Sequence, residues 1–243
     1  MTKPATYTRT GPIARIVLDD GKVNVMSSAM LSALHEAFDQ AEKDRAVVIL
    51  AGRGKTFSAG FDLKVFSDGT ANENYTMLKL GAELAYRLLS FPTPVVAACN
   101  GHALPMGAFL LMSSDVRIAA EGNYGIGMNE VAIKLTVPRF AVEVARQRLT
   151  PAYFSRALLT GQMFGPTEAA AAGFVDWIVP SADLDAVATR TAEALCNIDM
   201  ASHHATKLRA REGALQAIRA RIDSDITLAL SEERIAARNR AAA

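Results

Sequence analysis

Two short apolar runs, each opening into a small-residue turn and then a helical pattern, constrain this chain most. Val47–Ala51 and Val95–Cys99 are too short for helices and too apolar for loops, so they read as buried strands. The first leads to Phe57-Ser58-Ala59-Gly60-Phe61-Asp62-Leu63, the second to Asn100-Gly101-His102-Ala103-Leu104-Pro105-Met106-Gly107. A strand end that turns into a helix leaves backbone N–H groups unpaired and pointing outward. Two such turns side by side can aim two donors at one oxygen, which is the geometry of an oxyanion hole. A lone carboxylate, Glu130 in Gly127-Met128-Asn129-Glu130, follows them and could move a proton beside it.

The rest of the chain falls around this pair. Residues 7–18 predict a hairpin across Gly11-Pro12. Ser27 or Ser28 is placed to cap a helix over about 29–43. The segment after Phe61 has no regular period. A helix over about 73–90 carries Met77, Leu80, Leu84 and Leu88 on one face and ends at Phe91-Pro92-Thr93-Pro94. A short apolar helix over 107–114 and a strand at Val116–Ala120 follow. From Pro138 the texture becomes helical: Arg139–Arg148, Pro151–Leu159 and Thr167–Ala172, the last stopped by Gly173. One more strand, Phe174–Val179, precedes alanine-rich helices at Leu184–Asn197, 201–211 and 214–240, with fraying expected over Arg238–Ala243. Strands alternating with helices and then helices alone predict an α/β core over residues 1–180 and a helical region over 181–243.

Charge and cysteine content exclude several classes. With 26 basic and 25 acidic residues the net charge is +1, which favours neither nucleic acid nor an anionic membrane as partner. No apolar run approaches a membrane span, and Met1–Ala5 lacks the apolar stretch of a signal peptide, so a cytoplasmic location is expected. Cys99 and Cys196 read as reduced core residues, and the four histidines lack metal-ligand spacing. Neighbouring His203 and His204 would not share a helix face. Gly54-Lys55-Thr56 lacks the earlier glycine of a phosphate loop, because position 49 is Ile. Ser58 is no nucleophile elbow, because position 56 is Thr. His102 reads as structural.

Five segments taken in order narrow the reading: FSAGFDLK at 57–64, PTPVVAACNGHALPMGAF at 92–109, SSDVRIAA at 113–120, NYGIGMNEVAI at 123–133 and LTGQMFGPTEAAAAGFVDWIVP at 159–180. On these the chain resembles the crotonase family, also called the enoyl-CoA hydratase/isomerase superfamily, from residue 7 to about 220. The resemblance implies a ββα-superhelix with C-terminal helices that pack on the core and on neighbours in a homotrimer or hexamer. It also implies an acyl-CoA thioester substrate, with coenzyme A as part of the substrate and no other cofactor.

Carried over by position, the resemblance assigns the oxyanion hole to the backbone N–H groups of Phe61 and Met106, and the general base to Glu130. It lines the substrate site with Lys22, Val23, Ala59, Phe61, Asp62, Leu63, Lys64, Met106, Gly107 and Phe109. Lys22 and Lys64 would approach the CoA phosphates. Lys207 and Arg209 could contribute from a neighbouring subunit, although both read first as solvated surface charges. The face of Met77, Leu80, Leu84 and Leu88 reads as core before it reads as pocket wall. Fully active hydratases of the family carry a second glutamate where this chain has Phe109. A single carboxylate in a dry site, its pKa raised towards neutrality, suits Δ3,Δ2-enoyl-CoA isomerisation in fatty acid metabolism better than hydration. A hydratase and a non-catalytic acyl-CoA binder remain alternatives, as does a ligand-free structural oligomer.

Overall fold

A computed structural model of the protein describes residues 3–242. In chain order the elements are β1 (Ala5–Thr10), β2 (Ile13–Leu18), β3 (Val25–Met26), α1 (Ser28–Lys43), β4 (Val47–Gly52), β5 (Thr56–Ser58), β6 (Gly60–Phe61), α2 (Leu63–Asp68), α3 (Ala71–Ser90), β7 (Val95–Cys99), β8 (His102–Ala103), α4 (Pro105–Ser113), β9 (Val116–Ala120), β10 (Ile126–Gly127), α5 (Arg139–Arg146), α6 (Pro151–Thr160), β11 (Met163–Phe164), α7 (Pro166–Ala172), β12 (Trp177–Val179), α8 (Leu184–Leu195), α9 (Met200–Ala210), α10 (Glu212–Asp225) and α11 (Leu228–Ala242). A single 3-10 turn over Val131–Ile133 follows Glu130.

The main sheet has the order β1-β2-β4-β7-β9-β12. Only the β1–β2 hairpin is antiparallel; every later neighbour is parallel. A parallel sheet must be covered on both faces, which is why β4 and β7 are apolar throughout rather than alternating. Val48, Leu50, Val95, Ala97 and Ala119 face the principal core with α1, α3 and α4. Val47, Ile49, Val96, Ala98, Ile118 and Ala120 face Leu184, Ala188 and Ala192 of α8. The first helix of the C-terminal region is therefore a layer of the sheet.

A second sheet, β11-β10-β8-β5, leads into the two small-residue turns and the Glu130 segment. β5, β8 and β10 are parallel within it. These strands have two or three residues each, too few for any periodicity to register, and the sequence showed only turns there. Two other expectations need correction. The segment after Phe61 is a helix, α2, because the Asp62 side chain accepts the Lys64 N–H at 3.0 Å and caps it. The long helix expected over 214–240 is two helices broken at Ile226-Thr227, with the Thr227 hydroxyl capping the second through the Leu230 N–H.

Elsewhere the Ser27 cap acts as read, and α3 gains a cap at Thr70, which the sequence places in a loop. Ser27 accepts from the Met30 N–H, and Thr70 and Glu73 form a reciprocal capping box at α3. Strand β12 starts only at Trp177, leaving Phe174 and Val175 buried ahead of it. Helix α10 packs on α5 and α3, and α11 packs on α3, so the C-terminal helices fold back on their own core. The fraying expected from Arg238 is not seen through Ala242: α11 continues, and Arg238 donates to the Phe66 carbonyl at 3.0 Å. Ala243 lies outside the described residues, as do Met1 and Thr2. No helix among the described residues is long and apolar enough to cross a membrane.

Candidate active site

Three parallel strands of the small sheet deliver three loops to one end. β5 runs into 59–61, β8 into Leu104–Met106, and β10 into Met128–Glu130. The first two loops are tied directly: the Leu104 N–H donates to the Ser58 carbonyl at 2.9 Å. Gly60 has φ +83, and the Cβ it lacks would lie 3.5 Å from the Pro105 ring and nitrogen. The first turn thus lies against the start of α4, in a left-handed backbone conformation that favours glycine. Pro105 occupies the first turn of α4, and no side chain caps that helix end. The Met106 N–H belongs to this uncapped turn, with the positive end of the helix behind it.

The side chains of Phe61 and Met106 meet beneath α3. A Cβ at Gly81 would lie 2.6 Å from the Phe61 ring and 3.2 Å from the Met106 sulfur. Phe61 also packs edge-on against Phe66 of α2, with ring centroids 6.0 Å apart. Met77, Leu84 and Leu88 of α3 are wholly buried and belong to the core.

Glu130 stands at the end of the third strand. It is 5% exposed, and neither carboxylate oxygen meets a hydrogen-bond partner among the described residues. The neighbouring Asn129 Oδ1 is also buried and unpartnered. Burial pushes the Glu130 carboxyl up to about 7, against a weaker lowering by its own backbone N–H. An unpaired buried acid costs stability, and that marks Glu130 as a candidate for proton chemistry. Among the described residues no three His, Cys, Asp or Glu side chains group to hold a metal ion.

The remaining expected residues scatter in role. Lys22, Val23 and Lys64 are exposed, and the Val23 carbonyl accepts the Ala59 N–H at 3.0 Å, so this loop runs along the first turn. Ala59 is half-buried, Leu63 is exposed, and Asp62 serves as the cap of α2. Gly107 is buried with its Cα against Ser58, where an added Cβ would come within 2.9 Å of the serine Cβ. Phe109 is fully buried and packs edge-on against Phe140 at 5.8 Å between centroids.

Lys207 overturns its surface reading. It is 6% exposed and pairs with Asp115 at 2.7 Å, while Arg209 is exposed as expected. His102 is structural: its Nδ1 accepts the Gly125 N–H at 3.1 Å. Cys99 is buried and free, but Cys196 is only half-buried at the edge of the α8 layer. Sequence reasoning missed Ser58 and Asn24, both wholly buried polar residues beside the first turn. The available signal was a serine directly after Phe57 at the head of the first small-residue turn.

A small sheet whose three parallel strands lead into two strand-to-helix turns and one buried acid is an arrangement of the crotonase fold. The chain belongs to the enoyl-CoA hydratase/isomerase family, whose profile matches residues 8–233. A Bacillus subtilis probable enoyl-CoA hydratase is 37% identical over 148 residues, 60% of this chain and 55% of the relative. An enoyl-CoA hydratase/isomerase family protein from Pseudomonas syringae superposes with a TM-score of 0.89 at 41% identity, over 92% of this chain and 96% of that one. A Mycobacterium tuberculosis enoyl-CoA isomerase superposes with a TM-score of 0.87 at 45% identity, over 92% and 97%.

Proposed function

We propose that the protein isomerises 3-enoyl-CoA thioesters to 2-enoyl-CoA thioesters, with Glu130 as the single proton shuttle. The Glu130 carboxylate takes a proton from C2, and the electron pair delocalises into a dienolate. The developing oxyanion is held by the Phe61 and Met106 amides. Glu130 then returns the proton at C4, the C2–C3 double bond forms, and the carboxylate is regenerated. No cofactor is required beyond the coenzyme A carried by the substrate, whose phosphates would lie towards the exposed Lys22 and Lys64. We read the enzyme as cytoplasmic and as a homotrimer or hexamer, with exposed Val131, Ile133 and Leu159 available to a neighbouring copy.

One observation carries this reading: Glu130 is a buried, unpartnered acid whose pKa of about 7 suits it to both removing and returning a proton near neutral pH. The names of several relatives favour hydration instead. Against that, Phe109 occupies the position at which the family's hydratases carry their second glutamate, and its ring is locked on Phe140. Steady-state rates on 3-enoyl-CoA and 2-enoyl-CoA separate the two. Isomerisation should be the faster reaction, and Glu130→Gln should lower its kcat by about 10²–10⁴-fold. Faster hydration than isomerisation by the wild type would overturn the assignment.

A further inference from the structure

We infer that Ser58, held by the strap around Asn24, is the positioning residue that sets the two oxyanion-hole amides at a common point. The inference rests on the enolate chemistry just proposed and adds to it the part that aims the donors. Ser58 is wholly buried at the end of β5 and touches both turns. Its hydroxyl donates to the Asn24 carbonyl at 2.8 Å and accepts the Gly60 N–H at 3.1 Å, one residue before Phe61. Its own carbonyl accepts the Leu104 N–H at 2.9 Å, two residues before Met106. Its Cβ occupies the space that Gly107, one residue after Met106, leaves free. The Ser58 hydroxyl therefore fixes the approach to the first amide, while its backbone carbonyl and its Cβ flank the second.

Asn24 anchors the serine. It is 1% exposed, with φ +56. Its side-chain nitrogen donates to the carbonyls of Thr56 at 2.8 Å and of Arg53 and Phe57 at 3.2 Å. Asp20 in turn accepts the N–H groups of Lys22, Asn24 and Val25, each at 2.8 Å. The loop from Asp20 to Val25 thus grips the strand that carries Ser58 by its backbone. A purely packing residue at position 58 would leave the buried Gly60 N–H and Asn24 carbonyl without these bonds.

The test combines turnover with the carbonyl band of a bound thioester. Full-length wild type and Ser58→Ala are assayed on 3-enoyl-CoA. Infrared difference spectra are recorded with a saturated acyl-CoA carrying carbon-13 at the thioester carbonyl. Two aimed donors polarise that carbonyl and lower its stretching frequency. The expected result is a kcat lower by about 10- to 100-fold with KM little changed, and a band moved back towards that of free thioester. Displaced donors, unlike a general loss of stability, move the band. An unchanged kcat and an unchanged band, even with a lower melting temperature, would reduce Ser58 to a structural residue and overturn the inference. A wild-type band identical to that of the free thioester would instead overturn the enolate reading beneath it. Should Ser58→Ala fail to fold, Ser58→Cys applies the same two readouts, because a thiol fills similar space but bonds the Gly60 N–H and the Asn24 carbonyl only weakly, and the same results support or overturn the role.

Discussion

Glu130 is an acid that folding makes harder to ionise, and that fact fixes the sign of two measurements. Its ordinary value is 4.5, and burial lifts it to about 7. As pH rises above 4.5 the unfolded chain gives up this proton while the folded chain keeps it, so folding loses stability until pH passes about 7. The loss totals about 3 kcal/mol and is absent below 4.5. Glu130→Gln has no such titration. The unfolding free energy of the variant minus that of the wild type should therefore grow by about 3 kcal/mol between pH 4.5 and 8, as read by chemical denaturation at each pH. A flat difference would mean that the carboxyl ionises in the folded protein as easily as in water. Activity runs the opposite way: a base must be ionised, so kcat/KM for isomerisation should climb through an apparent pKa near 7 and level off above it. With Glu130 as the proposed base, stability and activity of the wild type should move in opposite directions over one pH interval.

At the scale of elements, α3 lies over the Phe61 and Met106 side chains, and Gly81 is where it comes close to both. Glycine inside a helix ordinarily costs about 1 kcal/mol relative to alanine, so Gly81→Ala would stabilise an isolated α3. Here the added Cβ would meet the Phe61 ring at 2.6 Å and the Met106 sulfur at 3.2 Å. Gly81→Ala should therefore lower the melting temperature and also lower kcat, because the two side chains it displaces belong to the residues whose amides are proposed to hold the oxyanion. A more stable variant with full activity would show that α3 can lift away freely.

That contact explains what the sequence could and could not reveal. The apolar period of α3, the runs at β4 and β7 and the Ser27 cap are local signals, and they identified the scaffold. The two turns and Glu130 were legible through their flanks and through resemblance. The small sheet was not, because two-residue strands carry no period and exist only through pairing with distant segments such as Ala103 with Ile126. Gly81 and Ser58 carry no local signal of their contacts for the same reason: each answers to a partner far along the chain.

Across the whole molecule, one carboxylate ties the site-bearing core to the C-terminal helices. Asp115 follows α4 and accepts the Val95 N–H at the start of β7 at 2.8 Å. It also faces Lys207 Nζ at 2.7 Å and Arg211 at 3.0 Å, while Arg211 reaches the Leu89 carbonyl at the end of α3 at 2.9 Å. Strand β7, helix α4, helix α3 and helix α9 thus meet at a single charge cluster. Burial draws the Lys207 amine down to about 8, against the pull of Asp115. The amine is kept out of water by the fold and is turned towards a carboxylate, which leaves it poorly placed to meet a phosphate. Removing one partner of a buried pair costs about 3–5 kcal/mol, and the remaining Arg211 puts Lys207→Met at the lower end, about 3 kcal/mol. The variant keeps the apolar stem and loses only the charge. Its unfolding free energy should fall by that amount, and amide exchange should quicken first in α9, while KM for the CoA thioester stays as in the wild type. A raised KM at unchanged stability would return Lys207 to the substrate phosphates and leave α9 to be held by packing alone.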